Sequence, residues 1–161
     1  MNSPARTIAP APVRKAIRVK ASQERAFRVF TAGMGHWWKP EHHIAATPFT
    51  DIVIEPHSGG RWLERDKDGA ECIWGKVILW EPPARIILGW QLDADWKFDA
   101  DFVTEVEVRF IAEGASATRV ELEHRNIEKY GAQAEAVRAS LDSPDGWNGL
   151  LAAYMSEAAR I

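Results

Sequence analysis

One cysteine, Cys72, in 161 residues excludes an intrachain disulfide and any multi-cysteine metal site, and this sparing use fits a reducing compartment, so a cytoplasmic location is expected. Charge of one sign is not in excess either. The 20 Lys and Arg are set against 23 Asp and Glu, for a net −3, whereas a nucleic-acid partner requires a basic face that neutralises phosphates. No nucleic acid is expected. No apolar run approaches the roughly 20 residues that cross a bilayer, so no membrane partner is expected.

Several catalytic signatures are also missing. The chain has no Gly-X-Ser-X-Gly elbow and no HExxH helix, and Cys72 has no sequence-local partner that would lower its pKa. Gly59-Gly60 precedes a strand rather than a helix N-terminus, so no phosphate loop and no nucleotide cofactor are indicated. His36, His42 and His43, with Glu41, offer imidazole and carboxylate, but the adjacent pair His42-His43 seldom converges on one ion. No residue is assigned as a metal ligand, and no cofactor is expected. Glu105, Glu107, Glu121 and Glu123 alternate onto a solvent face opposite arginines, where cross-strand ion pairs account for them.

What the chain has in quantity is tryptophan, eight in all, within a 46% hydrophobic, 27% charged composition. Each indole is a large surface that must find a core or something flat to touch. The length suits one core. Residues 1–12 read as a flexible N-terminal arm, and 13–161 as a single domain.

Alternation over Val13 to Lys20 predicts a first strand. Ser22 then caps a helix carrying Ala26, Phe27, Val29 and Phe30 and ending near Gly33. Gly35 to Pro40 reads as a short helix or turn, with His42 and His43 in the loop beyond. Strands are predicted at Phe49 to Glu55, Arg61 to Arg65, Glu71 to Trp80 and Arg85 to Trp90. They are separated by Ser58-Gly59-Gly60, Lys67-Asp68-Gly69 and Glu81-Pro82-Pro83. A loop from Asp93 to Asp101 leads to a last hairpin, Phe102 to Ile111 and Thr118 to Arg125. Helix follows from about Gln133 to Leu141, then a terminal helix, capped by Asp145 or Ser143, with one stripe of Trp147, Leu150, Leu151, Tyr154, Met155 and Ala158. The order implies an α+β fold in which a curved antiparallel sheet wraps around the C-terminal helix.

Val19-Lys20-Ala21-Ser22 before Ala26-Phe27, His36-Trp37-Trp38, Glu55-Pro56 with Gly59-Gly60-Arg61-Trp62, and Gly75-Lys76-Val77 before Trp80-Glu81-Pro82-Pro83 occur in an order that resembles a known family. Trp90, Thr118-Arg119-Val120 through His124, and Gly146-Trp147 complete the pattern over about Val13 to Ala158. It resembles the START-like (SRPBCC, Bet v-type) superfamily, in the branch named after the activator of the heat-shock-protein-90 ATPase. The resemblance implies a helix-grip fold and three kinds of function: small-molecule binding, a co-chaperone role in stress response, or cyclase, dehydratase or hydrolase chemistry.

Trp62, Trp90, Trp96 and Trp147 are the candidates to line a cavity between sheet and terminal helix, with Met155 beside them. The expected ligand is an apolar or aromatic small molecule. For each tryptophan the alternative is ordinary core packing. Trp74 and Trp80 share a strand face with Cys72, Lys76 and Ile78, while Ile73, Val77 and Leu79 occupy the other, so alternation does not decide which face is internal. His124 extends the inward series Val120, Leu122; it is either a structural histidine, a hydrogen-bond partner of the ligand, or a general acid or base. An exposed Trp37-Trp38 pair would instead favour a chaperone or other protein partner. Monomer and homodimer both remain open.

Overall fold

The computed structural model describes residues 10–160; the greater part of the expected N-terminal arm lies outside the described residues. Seven strands, β1 (Val13–Val19), β2 (Asp51–Ile54), β3 (Arg61–Arg65), β4 (Glu71–Glu81), β5 (Arg85–Trp90), β6 (Thr104–Ala112) and β7 (Thr118–Arg125), form one antiparallel sheet of order β1-β7-β6-β5-β4-β3-β2. β2 to β7 follow one another as a meander. β1 closes against the last strand, with Val13 opposite His124 and Val19 opposite Thr118. This is the helix-grip α+β architecture that the element order implied.

The helices α1 (Gln23–Phe30), α2 (Met34–Trp37), α3 (Ala134–Leu141) and α4 (Trp147–Ala158) complete the fold. Ser22 caps α1 as expected, its hydroxyl accepting from Arg25 N at 3.2 Å. Phe27 and Phe30 pack edge-on against Phe110 of the sheet, and Tyr154 of α4 stands edge-on to Phe30 at 5.2 Å. The Tyr154 hydroxyl donates to Ala26 O at 2.7 Å, so the terminal helix is tied to α1 as well as packed on it. Its buried stripe is Trp147, Leu150, Leu151, Tyr154 and Ala158, whereas Met155 is half-buried at the margin.

Two β-bulges resolve the ambiguity of β4. The register skips one residue between Gly75 and Ile73 opposite β3, and again between Val77 and Leu79 opposite β5. Each extra residue reverses the in-out phase of everything beyond it. Trp74 and Val77, which strict alternation puts on opposite faces, are therefore both buried, and Trp80 still turns in to meet Phe27 at 5.1 Å.

Two other expectations change. α4 begins at Trp147 with Gly146 in the cap position, and neither Ser143 nor Asp145 supplies a side-chain cap. Glu107 does not stand in water: it is buried under Arg85, Arg109 and Arg125, which neutralise it. The Trp37-Trp38 pair is not exposed; the two rings keep 4% and 5% of their accessible surface. A 3₁₀ segment, Ile127–Gln133, also forms where no element was predicted. No helix among the described residues is long and apolar enough to cross a membrane.

Candidate functional site

Five of the eight indoles form a closed circuit. Successive ring centroids lie 5.8 Å (Trp147 to Trp38), 5.1 Å (Trp38 to Trp74), 5.5 Å (Trp74 to Trp62), 5.7 Å (Trp62 to Trp90) and 6.0 Å (Trp90 to Trp147) apart. All five pairs are tilted or edge-on, the arrangement that the aromatic quadrupole favours. The sequence scatters these residues over five segments. The fold gathers them because β4 and β5 are neighbours, the α2 C-terminus crosses above them, and α4 starts over the same end of the sheet.

A cavity of about 310 Å³ opens on one side of this circuit, at the small end of the range typical for ligand pockets. Trp38, Trp74, Trp90 and Trp147 wall it, with Ile44, Leu92, Leu141 and Leu150 as aliphatic fill. Trp96 stands at the mouth, 44% exposed and edge-on to Trp90 at 6.1 Å. Its φ of 62° is unusual for a bulky residue. The turn around Asp93 imposes it: Asp93 Oδ1 accepts from Asp95 N and Lys97 N, and Trp96 N donates to Asp93 O. The polar rim comprises Glu41, His42, His43 and Asp145. Burial pushes the His42 pKa down, against the opposing pull of Glu41 and Asp145.

Of the residues predicted to line a cavity, Trp90, Trp96 and Trp147 border this one. Trp62 lies behind the wall, wholly buried, its indole N–H without an acceptor. Met155 is not on the cavity border, and neither is His124. Sequence reasoning missed Trp38 and Trp74. Trp38 was weighed only as half of a Trp37-Trp38 pair whose exposure would have favoured a partner, and Trp74 was hidden by the bulge phase.

His124 instead supports the wall from behind. Trp147 Nε1 donates to its Nδ1 at 3.1 Å, and its Nε2 lies 2.8 Å from Thr104 Oγ1. An indole nitrogen only donates, so Nδ1 must accept and the ring proton sits on Nε2, directed at the threonine. Full burial holds the imidazole neutral, with its pKa lowered to about 3. Neither nitrogen is left to exchange a proton with a molecule in the cavity. Beside it, Tyr130 donates to Leu92 O at 2.8 Å, and burial raises its phenol to about 12. The Trp90 N–H lies in the same region without a hydrogen-bond acceptor.

His36 lies outside the cavity lining, and among the described residues no three His, Cys, Asp or Glu side chains converge as a metal site requires. His43 Nδ1 is 2.7 Å from Ala45 O, which fixes its proton on Nδ1. The two rim imidazoles are therefore part of the cavity mouth.

Residues 20–156 match the family described as Activator of Hsp90 ATPase homolog 1-like protein. The chain belongs to this family. No curated protein sequence matches it. Among solved structures, the anthrahydroquino-gama-pyrone synthase Txn09 is 36% identical, with a TM-score of 0.65 over 92% of this chain and 97% of that one. CalC from Micromonospora echinospora, described as a self-sacrificing resistance protein, is 29% identical, with a TM-score of 0.69 over 92% and 94%. Protein NE0264 from Nitrosomonas europaea, at 12% identity and a TM-score of 0.59 over 92% and 94%, shows a likeness of fold alone. Across such relatives the Activator-homolog fold is common ground, and the chemistry has to be read from the site.

Proposed function

We propose that this Activator-homolog-like chain binds a small planar aromatic molecule in the cavity between the ends of β4 and β5 and the start of α4. The observation that carries this reading is the wall itself. Four indoles, three leucines and Ile44 surround about 310 Å³, an environment that removes a flat apolar ligand from water and offers it edge and face contacts at little conformational cost. Trp96, exposed and held by its turn, adds a stacking surface at the entrance. Its solvent-facing area would be covered on binding.

The similar proteins support the choice of ligand. The 36% identical neighbour is named as a synthase of an anthrahydroquino-pyrone, a fused-ring aromatic skeleton, and the 29% identical one as a resistance protein. A binding role fits this chain better than proton transfer by His124, since both His124 nitrogens are engaged and the ring stands behind the wall. It also fits better than partner docking through Trp37-Trp38, because both rings are buried.

Titration with anthraquinone, followed by tryptophan fluorescence, tests the reading. Emission should quench saturably with one site per chain, and Trp90→Ala should weaken binding roughly 5- to 100-fold by loss of stacking and buried area. No saturable quenching with any of several planar aromatics would refute it.

A further inference from the structure

Resting on that reading, we propose that the cavity selects planar aromatic ligands that carry a positive charge, such as a protonated amine. Two acidic side chains are buried among the described residues, Glu107 with 7% of its surface left and Glu64 with 2%. Glu107 is answered by three arginines. Glu64 has no ion-pair partner among the described residues, although a buried charge normally requires one.

Glu64 sits immediately behind the cavity. Its Oε1 accepts from Trp74 Nε1 at 2.8 Å and from Ile44 N at 2.6 Å, and both of those residues border the cavity. Oε2 receives no donor from the described residues. The charge acts on its surroundings: after burial, it is the second cause that pushes the Cys72 thiol pKa up. In a space screened from water by indoles, the same charge favours a cation.

Two further features act in the same direction. The faces of Trp38, Trp74, Trp90, Trp96 and Trp147 are electron-rich, and an ammonium among such faces is held by cation–π attraction. Glu41 and Asp145 add carboxylates at the rim. The opposing groups are weaker: the α4 N-terminus carries a partial positive charge, with Asp145 just before it as compensation, and Lys39 lies 3.9 Å from Asp145. His42 is biased toward its neutral form. A cation in the cavity would lie one layer of side chains from Glu64, on the far side of Trp74 and Ile44, and would be drawn the same way by the rim carboxylates.

The test compares three probes on one anthraquinone skeleton, bearing a protonated dimethylaminomethyl group, its uncharged isobutyl counterpart, or a carboxymethyl group. By calorimetry at neutral pH the cationic probe should bind roughly tenfold tighter than the neutral one, with the anionic probe weakest. Glu64→Gln keeps an acceptor for Trp74 and Ile44, so it should remove most of the tenfold difference while leaving the neutral probe within about twofold. High salt should weaken the contribution of exposed Glu41, measured through Glu41→Gln, far more than that of Glu64. If Glu64→Gln fails to fold, the order of the three probes on the unsubstituted protein and on Glu41→Gln decides. Equal affinities, or tightest binding of the anion, would overturn the charge selectivity and leave the aromatic-binding reading standing. Failure of all three to bind would overturn both.

Discussion

Trp147 donates its indole N–H to His124 Nδ1 at 3.1 Å, and this bond fixes both the tautomer of the histidine and the pose of a cavity wall. Because the folded pKa is held near 3, far below the ordinary value of 6.5, the unfolded chain binds the proton more readily. Stability from this group is complete above about pH 6.5, declines as pH falls, and levels below about pH 3. Denaturant midpoints measured from about pH 7 down to pH 5 should therefore drop in the native protein. His124→Gln should flatten that segment and keep the later loss below about pH 4.5 that comes from protonating paired carboxylates such as Glu107 and Glu123.

Removing the other partner separates packing from hydrogen bonding. Trp147→Ala should cost roughly 3–5 kcal/mol, since the ring is buried at the junction of sheet and α4. Trp147→Phe retains much of the volume and should cost less. It also releases His124 Nδ1, so the histidine pKa, followed by NMR, should rise from about 3. An unchanged titration in Trp147→Phe would show that burial alone, and not the indole bond, holds the histidine pKa down.

Trp96 should divide stability from binding. Its positive φ costs about 1–2 kcal/mol for a residue with a side chain and little for glycine. Trp96→Gly should leave thermal stability within about 1 kcal/mol of the parent, because strain relief offsets the entropy cost of glycine, while affinity for a planar probe falls several-fold. A large loss of stability with affinity intact would place Trp96 in the core rather than at the mouth.

Much of the fold was legible in the sequence, because β3, β5 and β7 carry simple alternation or sit between unambiguous turn residues, and their predicted and observed bounds coincide. The departures have local causes. Strict period-two reasoning has no place for an extra residue, so the bulges of β4 concealed the inward turn of both Trp74 and Val77. Glu107 read as solvated from its strand phase, whereas burial there is produced by arginines arriving from β5 and β7. His124 was correctly placed on the inner face, but its role depends on Trp147 and Thr104, at separations of 23 and 20 residues. No local pattern encodes such a meeting. The same holds for the cavity: Trp38 and Trp74 become neighbours only when the α2 C-terminus crosses the bulged strand.

Gly75 tests the bulge directly. An added Cβ would lie 1.8 Å from Gly89 O, a clash with backbone that no rotamer change relieves. Gly75→Ala should separate β4 from β5 at the position paired with Trp90. A loss of about 3 kcal/mol or more is expected, which puts it among the severe single substitutions. Tolerance of the alanine, with an unchanged thermal midpoint, would contradict the close strand approach on which the cavity wall is built.

The most direct test of aromatic binding in the cavity is the indole N–H region of a two-dimensional ¹H–¹⁵N NMR spectrum, recorded while a planar aromatic such as anthraquinone is added. Each tryptophan contributes its own signal, so the site reports its own location. Signals of Trp38, Trp74, Trp90, Trp96 and Trp147 should move together and saturably, while Trp80, which packs on Phe27 outside the cavity lining, stays in place. Movement of Trp80 alone, or no movement of the five, would contradict the account.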